Sequence, residues 1–317
     1  MKKYAGEGAL LLTTTLWGVT FVIVKESLNS ASPLVFVSLR FSIAALILSP
    51  FIIKTFNNIS KELLMSGLLL SFFFFAGFAT QTIGLRYTSA TKSGFITGTF
   101  ILFTPLFQYL IEKKISRKEN IFGIVIIVFG LVFLSSKGES FLNIFNELGE
   151  GFNIGDFFTL LCAISYALYL VYLDVTTKKH NHLPLVYMQI FFTAIFGIIC
   201  ALLLSTFGFE KIILTLNNQL LFALIYTSIF ATIITTFLQT KYQKTVTPTK
   251  AGIILSFEAP LAALFAFFIL SERISSFGYI GCVLIFTGLL ITEILGNRKS
   301  IIENGSDRKS TRLNSSH

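Results

Sequence analysis

The chain has 317 residues, of which 54% are hydrophobic and 13% are charged, and its formal net charge is +9. Soluble domains carry about 25% charged residues, so this composition excludes an ordinary water-soluble enzyme and a disordered protein. The basic residues are scattered between apolar segments and form no stripe, which argues against nucleic-acid binding. The three cysteines, Cys162, Cys200 and Cys282, lie in apolar runs without Cys-x-x-Cys spacing, so they indicate neither a disulfide framework nor a zinc site.

Ten apolar runs of membrane-spanning length follow one another along the chain. A spanning helix needs about 20 apolar residues, and lipid offers no hydrogen bonds to an unpaired backbone. Long runs without alternating polarity are therefore predicted to be helices, and the fold class is all-α and polytopic. The predicted spans are residues 6–25, 33–53, 62–85, 90–111, 119–136, 154–173, 183–206, 218–240, 249–270 and 276–295.

Both ends of the sequence have features of their own. Lys2 and Lys3 precede the first run as in a signal peptide, but the run is long and lacks an Ala-x-Ala site, so we expect it to stay in the mature chain. Residues 297–306 are predicted to form a cytoplasmic tail. The last eleven residues, DRKSTRLNSSH at 307–317, resemble a translated sequencing adapter and are interpreted as an artefact.

The distribution of Lys and Arg predicts the orientation of the chain. If the N terminus is cytoplasmic, fifteen of these residues lie at cytoplasmic span ends and six at outer ends. Positive residues accumulate on the cytoplasmic side of membranes, so both termini are predicted to be cytoplasmic. The long connector near 137–153, which carries Glu139, Glu147 and Glu150, is predicted to lie outside.

The sequence contains an internal repeat. A shift of 158 residues maps the third, fourth and fifth spans onto the eighth, ninth and tenth, so five-span repeats are predicted at 1–137 and 138–296. Because five is odd, the second repeat is inverted, an architecture that recurs in transporters with a substrate site at the repeat interface. The alternative is a duplicated structural bundle without transport. The least common matches are Gln81 with Gln239, Thr91 with Thr249, Lys92 with Lys250, Gly94 with Gly252, Gly123 with Gly281 and Gly130 with Gly288.

Short motifs occur in order across these spans. They are Leu16-Trp17-Gly18 before Phe21, Leu39-Arg40-Phe41, Thr88 to Phe95 before Pro105, Pro248-Thr249-Lys250-Ala251, Glu258-Ala259-Pro260 and Ser271-Glu272-Arg273-Ile274. With these motifs, residues 9–295 resemble the drug/metabolite transporter superfamily, specifically the EamA-type permeases with two five-helix repeats. The resemblance implies export or facilitated movement of metabolites such as amino acids across the bacterial inner membrane. Pro105 and Pro260 differ by 155 positions, so these helix-breaking prolines are predicted to lie about one turn apart in the two repeats.

Glu258 is the first candidate for substrate contact. It lies about nine positions into a span, where a charge costs about 2.5 to 3.5 kcal/mol on insertion scales. We expect it to face a wet cavity, where it binds a cationic group or carries a proton. The alternative is a packing acid that accepts hydrogen bonds near the break at Pro260.

Five further residues are candidates for the same cavity. A tryptophan or tyrosine in mid-span needs a hydrogen-bond partner, which favours a cavity between the repeats over ordinary core packing. Buried amides either line such a cavity or hold helices together. The candidates are Trp17, Tyr166, Tyr169, Gln81 and Gln239.

A second group of residues is predicted to form gates or helix contacts. Arg40 is expected to reach the outer interface with its long side chain or to pair with an acid such as Glu258. Lys92 and Lys250 begin spans at opposite faces and are interpreted as interfacial anchors first and gate elements second. Gly94 and Gly252 lie near the same helix starts, where they permit close helix approach.

Four glycines, Gly123, Gly130, Gly281 and Gly288, form smooth faces seven residues apart on the fifth and tenth spans. These two helices are predicted to buttress the bundle or to contact a second protomer. The chain is therefore expected to be a monomer or a homodimer.

Catalytic motifs are missing from the sequence. It holds no Ser, His and acid set, no phosphate-binding glycine loop and no Walker motif, and His180 and His182 flank a loop residue. We expect no enzyme activity, no cofactor and no metal, with a small organic solute, the lipid bilayer and protons as partners. The alternatives are a cationic-drug or nucleotide-sugar carrier and a non-transporting membrane enzyme or scaffold.

Overall fold

The fold is that of a computed structural model, which describes residues 4–52, 59–136, 152–292 and 294–295. Within these ranges the chain forms helices joined by short connectors, with no strand. The predicted cytoplasmic tail, the adapter-like residues and nearly all of the predicted outer connector lie outside the described residues.

Each of the ten predicted spans is helical over most of its described residues. Eight of the described spans are long and apolar enough to cross a membrane, and the final helix is a shorter apolar one. This confirms the prediction of an all-α polytopic membrane protein. The helices are α1 Ala5–Ser27, α2 Pro33–Ile52, α3 Lys61–Tyr87, α4 Ala90–Gly98, α5 Phe100–Glu112, α6 Lys118–Ser135, α7 Ile154–Thr177, α8 His182–Thr206, α9 Asn218–Ser228, α10 Thr235–Tyr242, α11 Pro248–Leu255, α12 Glu258–Leu270 and α13 Ser276–Thr292.

The outer surface of the bundle is apolar. Large side chains on the helices are strongly exposed, including Phe51 at 79%, Leu46 at 72% and Phe268 at 71%. In water an apolar surface of this extent would drive association, whereas lipid tails match it. The interior instead holds the polar side chains, which must find their hydrogen bonds inside the protein.

The two halves share local backbone features at the repeat shift of 158. The side chains of Ser89 and Thr247 accept hydrogen bonds from the third residue of α4 and α11 and so cap the two helices. Lys113 and Ser271, which end α5 and α12, are the two non-glycine residues with positive φ in the described chain, at 56° and 55°. The repeat is therefore present in the caps as well as in the sequence.

Spans four and nine are both broken, and the breaks precede the prolines. Thr99 separates α4 from α5, and Phe257, 158 residues later, lies between α11 and α12. At each break a side-chain hydroxyl donates to the backbone carbonyl three residues earlier, from Thr99 in the first half and from Ser256 in the second. Such hydrogen bonds bend helices. The prolines do lie about one turn apart in the two repeats, but the prediction that they break the spans is wrong, because Pro105 lies inside α5 and Pro260 lies in the first turn of α12, which tolerates proline.

Contacts between helix ends show where each half begins. We call the face where α1 begins the first face and the opposite one the second face. Lys250 at the start of α11 pairs with Glu7 near the start of α1, on the first face. Lys92 at the start of α4 pairs with Asp156 at the start of α7, on the second face. The two halves therefore enter the bundle from opposite faces.

The connectors on the second face also join the two halves. Ser32 N–H donates to the Ile213 carbonyl at 3.0 Å, and Thr215 N–H donates to the Ser30 carbonyl at 2.8 Å. Glu210 in the same loop accepts the N–H of Leu34 near the start of α2 at 3.3 Å. Burial raises the pKa of the Glu210 carboxyl above its ordinary value, although this hydrogen bond opposes the rise.

The predicted glycine faces pack against each other. A Cβ added to Gly281 would lie 2.5 Å from the Gly130 carbonyl oxygen, and one added to Gly288 would lie 3.0 Å from the Gly123 oxygen. Helices α6 and α13 therefore approach at backbone distance and join the two halves within one chain. The glycines are accounted for by this contact, without a second protomer.

We expect Gly281→Ala to lower the free energy of unfolding by about 1 to 3 kcal/mol, because its methyl group would meet backbone atoms that cannot move aside. The measurement is the midpoint of thermal unfolding in detergent. Gly8→Ala is the control, since that glycine is exposed with nothing within 4 Å of an added Cβ. Equal midpoints for the two variants would contradict the close packing of α6 and α13.

Candidate functional site

A cleft lies between the two halves of the bundle. Its walls come from α1, α3 and α4 in the first half and from α7 and α12 in the second. About 400 Å³ of empty space, open solvent included, lies between its lining residues. Four of the six predicted substrate residues line it, namely Trp17, Gln81, Tyr166 and Glu258.

Six lining residues were not predicted, although helical spacing could have found five of them. Phe78 and Gly77 lie three and four positions before Gln81, and so occupy the same face of α3. Cys162 lies four positions before Tyr166. Thr97 has no such signal, because it reaches the cleft through the packing of α4. The full set is Thr20, Phe21, Gly77, Phe78, Thr97 and Cys162.

Glu258 is the only acidic residue among the described lining residues. It is the first residue of α12, so its carboxyl lies beside the positive end of a helix dipole. The side chain is 3% exposed, and among the described residues no protein group hydrogen-bonds its Oε1. The break between α11 and α12 therefore brings a buried acceptor without a protein partner to the wall of the cleft.

Three aromatic rings meet at the cleft. The Trp17 ring lies edge-on to Tyr166, with ring centroids 5.5 Å apart, and edge-on to Phe78 at 6.4 Å. Trp17 Nε1 donates to the Ala231 carbonyl at 3.1 Å, and Tyr166 OH accepts from Gln239 Nε2 at 2.8 Å. The polar atoms Trp17 Nε1 and Tyr166 OH thus both have hydrogen-bond partners, Ala231 and Gln239, in the second half.

Gln239 and Tyr169 lie behind the cleft wall. Gln239 is fully buried and supports Tyr166, while Tyr169 OH donates to Gln189 Oε1 at 2.7 Å. Gln81 lines the cleft itself and donates to Thr97 Oγ1 at 3.3 Å. The two glutamines that the repeat relates therefore occupy different positions relative to the cleft.

Arg40 is buried at 2% exposure, away from the outer interface, and within the described chain none of its hydrogen bonds goes to an acid. Its Nε donates to Thr232 Oγ1 and its Nη2 to the Ala231 carbonyl, both at 2.7 Å. The guanidinium also lies 4.5 Å from the centroid of the Phe78 ring. Both expectations for Arg40, the outer interface and an acidic partner, are corrected by these contacts.

The partners of Arg40 lie in a π-helical turn, Ile229–Ile234, between α9 and α10. A π turn widens the helix, so some of its backbone carbonyl oxygens are poorly hydrogen-bonded within the helix and are available to other donors. The Ala231 carbonyl in this turn accepts from both Arg40 and Trp17. A buried cation and the cleft tryptophan are therefore held by a single backbone oxygen.

Lys92 and Lys250 form equivalent ion pairs at opposite faces. Lys92 Nζ lies 2.6 Å from Asp156 Oδ2, and Lys250 Nζ lies 2.9 Å from Glu7 Oε1. The lysines differ by 158 positions and the acids by 149, the offset that also relates Trp17 to Tyr166. Glu7 and Asp156 were not predicted, although that offset could have identified them.

Gly94 and Gly252 pack across the halves with different closeness. A Cβ at Gly94 would lie 2.8 Å from the Ala262 side chain, whereas one at Gly252 would meet Phe100 and Thr104 at an ordinary 3.5 Å. The first segment of each broken span thus packs on the second segment of the other, and close approach is needed only at Gly94. Pro105 lies inside α5, and Pro260 is buried in the first turn of α12.

Metal ligands do not come together in the part of the chain described. No group of three His, Cys, Asp or Glu side chains there lies close enough to hold an ion.

The fold and the cleft define a multi-pass helical membrane protein whose two halves share a mainly apolar cleft that contains one acidic residue. The chain belongs to the EamA-like transporter family, which matches residues 5–136 and again residues 153–294. The halves described above are thus each matched by the same family.

Named relatives cover most of the chain. An uncharacterized transporter of Archaeoglobus fulgidus is 30% identical, over 93% of this chain and 87% of the relative. A probable amino-acid metabolite efflux pump of Escherichia coli is 27% identical, over 89% of this chain and 92% of the relative. A solved crystal structure with 16% identity has a TM-score of 0.70 over 91% of this chain, which supports the fold.

We expect Arg40→Lys to lower the free energy of unfolding by about 1 to 3 kcal/mol, because a single ammonium cannot reproduce the planar pair of bonds to Thr232 and Ala231. The midpoint of thermal unfolding in detergent measures this loss of stability. Arg86→Lys, at an exposed arginine near the end of α3, is the matched control. If both variants unfold at the wild-type midpoint, the π turn does not depend on the guanidinium.

Proposed function

We propose that this protein is a secondary transporter that moves small organic metabolites, amino acids or related compounds, out of the cell by alternating access. The observation that carries the proposal is the cleft, because its walls are shared between two halves that enter the bundle from opposite faces. A site at such an interface can be exposed to either side when the halves move against each other.

The ion pairs suggest how the two faces close. Lys92–Asp156 joins α4 to α7 on the second face, and Lys250–Glu7 joins α11 to α1 on the first. The two pairs thus connect the starts of four helices. Of these, α1, α4 and α7 line the cleft, and α11 leads into α12, which also lines it. Breaking one pair at a time would open one face while the other stays closed.

The proposed direction and location rest on several supports. The name of the Escherichia coli relative favours amino-acid metabolites and efflux. The excess of Lys and Arg at one set of span ends supports a cytoplasmic position for the first face in the inner membrane. Since no described lining residue is Lys or Arg, the cleft does not favour the nucleotide-sugar alternative.

The proposal is tested in proteoliposomes loaded with a mixture of amino acids. We expect saturable, protein-dependent efflux of a subset of them, read by mass spectrometry of the external solution. Liposomes that contain the Arg40→Lys variant or no protein provide the comparison. Efflux equal to that of empty liposomes for every solute would favour a structural role for the bundle.

Glu258 is the proposed proton carrier of this transport. If its carboxyl exchanges a proton during the cycle, Glu258→Gln should flatten the dependence of flux on pH, because an amide does not titrate. Flux measured between pH 5.5 and 8.5, as set by the buffers, tests this. Unchanged flux and unchanged pH dependence would exclude proton coupling at this residue.

The gate roles of the ion pairs are tested through Cys162, which lines the cleft and is 3% exposed. Cys200 and Cys282 are replaced by Ser, and a membrane-impermeant methanethiosulfonate is applied to one side. Lys92→Gln should speed labelling from the second face, and Lys250→Gln from the first. A partly exposed ion pair contributes about 1 kcal/mol, which corresponds to roughly a fivefold faster rate.

Lys118→Gln is the matched control for both variants, since this lysine is exposed at the start of α6. It should leave labelling from either side unchanged. Faster labelling from both faces in a single variant would show general loosening of the bundle, and would contradict a separate gate at each face.

A further inference from the structure

We propose that the first face carries a second binding site, which takes an anionic phosphate group. The site is a pocket where the connector between α5 and α6 meets the start of α11, and it shares no described lining residue with the cleft. We call it the first-face pocket. Its described lining includes three cations, Lys114, Arg117 and Lys250, and no acid. About 990 Å³ of empty space, open solvent included, lies between the lining residues.

The repeat shows what occupies the equivalent position on the second face. There the carboxylate of Glu272 lies at the start of α4, where it accepts the N–H groups of Ala90 and Thr91, both at 3.1 Å. Thr91 Oγ1 also donates to this carboxylate at 2.6 Å. An acid of the protein thus meets the positive end of the α4 dipole.

The first-face pocket lacks this internal acid. Position 272 corresponds to Lys114 at the shift of 158, and the preceding residues, Ser271 and Lys113, share the same left-handed backbone. Thr249, the equivalent of Thr91, donates instead to the neutral Oε1 of Gln108 at 2.6 Å. The start of α11 is therefore surrounded by cations where the start of α4 has a carboxylate, and an external anion would take the place of that carboxylate.

Two otherwise buried amides open into the pocket. Asn120 is 8% exposed, and its side chain makes no hydrogen bond within the described chain. Gln108 is 4% exposed, and although its oxygen accepts from Thr249, its Nε2 has no acceptor among the described residues. Both side chains therefore present N–H donors to the pocket, which suits a ligand whose oxygens only accept.

The protein neutralises the three cations only in part. Arg117 is exposed and forms no ion pair within the described chain. Lys114 and Lys250 each lie 2.9 Å from one carboxylate oxygen, of Glu112 and Glu7. A guanidinium fork binds phosphate oxygens in pairs, and a lysine ammonium adds a point charge.

The position of the pocket favours the headgroup of an anionic phospholipid as the source of the phosphate. Ile115, which lines the pocket, is 84% exposed beside the cations. An apolar side chain next to a basic pocket at the end of spanning helices can contact acyl chains while the headgroup binds the cations. A soluble phosphate offers the same oxygens, so the experiment includes both sources.

The test measures the midpoint of thermal unfolding of the purified full-length protein in detergent. Dioleoylphosphatidylglycerol is compared with dioleoylphosphatidylcholine at equal mole fraction, and sodium phosphate with sodium chloride at equal ionic strength. A ligand present at ten times its Kd should raise the midpoint by about 2 to 4 °C, because it binds only the folded state. A rise with phosphatidylglycerol alone identifies a lipid headgroup, and a rise with phosphate as well identifies a site open to free anions.

A charge reversal tests the comparison between the repeats. Lys114→Glu puts a carboxylate at the position equivalent to Glu272, so it should abolish the rise with either probe. Lys113→Glu is the matched control, since it makes the same change in charge at an exposed side chain that is not among the described lining residues. It should keep the rise of the wild type.

Two further variants separate binding from folding. Asn120→Leu should weaken binding about tenfold without lowering the midpoint of the unliganded protein, because its amide has no described partner to lose. Glu7→Gln should tighten binding several-fold, since it releases Lys250 from its ion pair. A destabilised protein would not bind more tightly, so this gain excludes general damage as the cause.

The inference is overturned if neither probe raises the midpoint of the wild type. It is also overturned if the rise is the same in Lys114→Glu as in Lys113→Glu, because a general effect of salt or lipid would not distinguish the two. A lower unliganded midpoint in Asn120→Leu would assign that amide to folding and contradict its role in binding. Since none of the substituted residues lines the cleft, the efflux expected of the transporter is tested separately.

Discussion

The need to satisfy polar groups inside the protein governs this structure, because lipid supplies no hydrogen bonds to them. The described helices place apolar side chains on the outside and hydroxyls, amides and four buried charged residues, Arg40, Asp156, Asp174 and Glu258, within. Arg40 meets this requirement through two hydrogen bonds, to Thr232 Oγ1 and the Ala231 carbonyl. Glu258 lines the cleft, and its buried Oε1 has no hydrogen-bond partner among the described residues. The contrast between these two buried charges separates a structural residue from a candidate binding residue.

The same requirement explains the irregular helices. The π turn at Ile229–Ile234 and the breaks at Thr99 and Phe257 all lie within spans, where disturbed backbone hydrogen bonds are costly. Each is compensated by a contact from elsewhere in the chain or from a local hydroxyl. The Ala231 carbonyl serves Arg40 and Trp17, and Thr99 bonds its own helix. Irregular backbone is thus concentrated in the spans that surround or support the cleft.

The two repeats share equivalent helix caps, breaks and ion pairs, but the cleft between them is asymmetric. Caps, breaks, left-handed helix ends and lysine ion pairs recur at the shift of 158, on opposite faces. The cleft does not follow the symmetry, because Gln81 lines it while Gln239 lies behind Tyr166. A symmetric frame can alternate between two openings, and an asymmetric lining can select one kind of solute.

The sequence by itself determined the ten spans, the all-α class, the shift of 158 and four cleft residues, because hydropathy, charge depth and repeat spacing are local or periodic signals. It did not determine the partners of those residues. Arg40 meets Ala231 across 191 positions, and no pattern along the chain encodes that contact. Only the tertiary structure showed that Arg40 is paired with backbone and that Glu258 Oε1 has no described protein partner, since both depend on how distant helices pack.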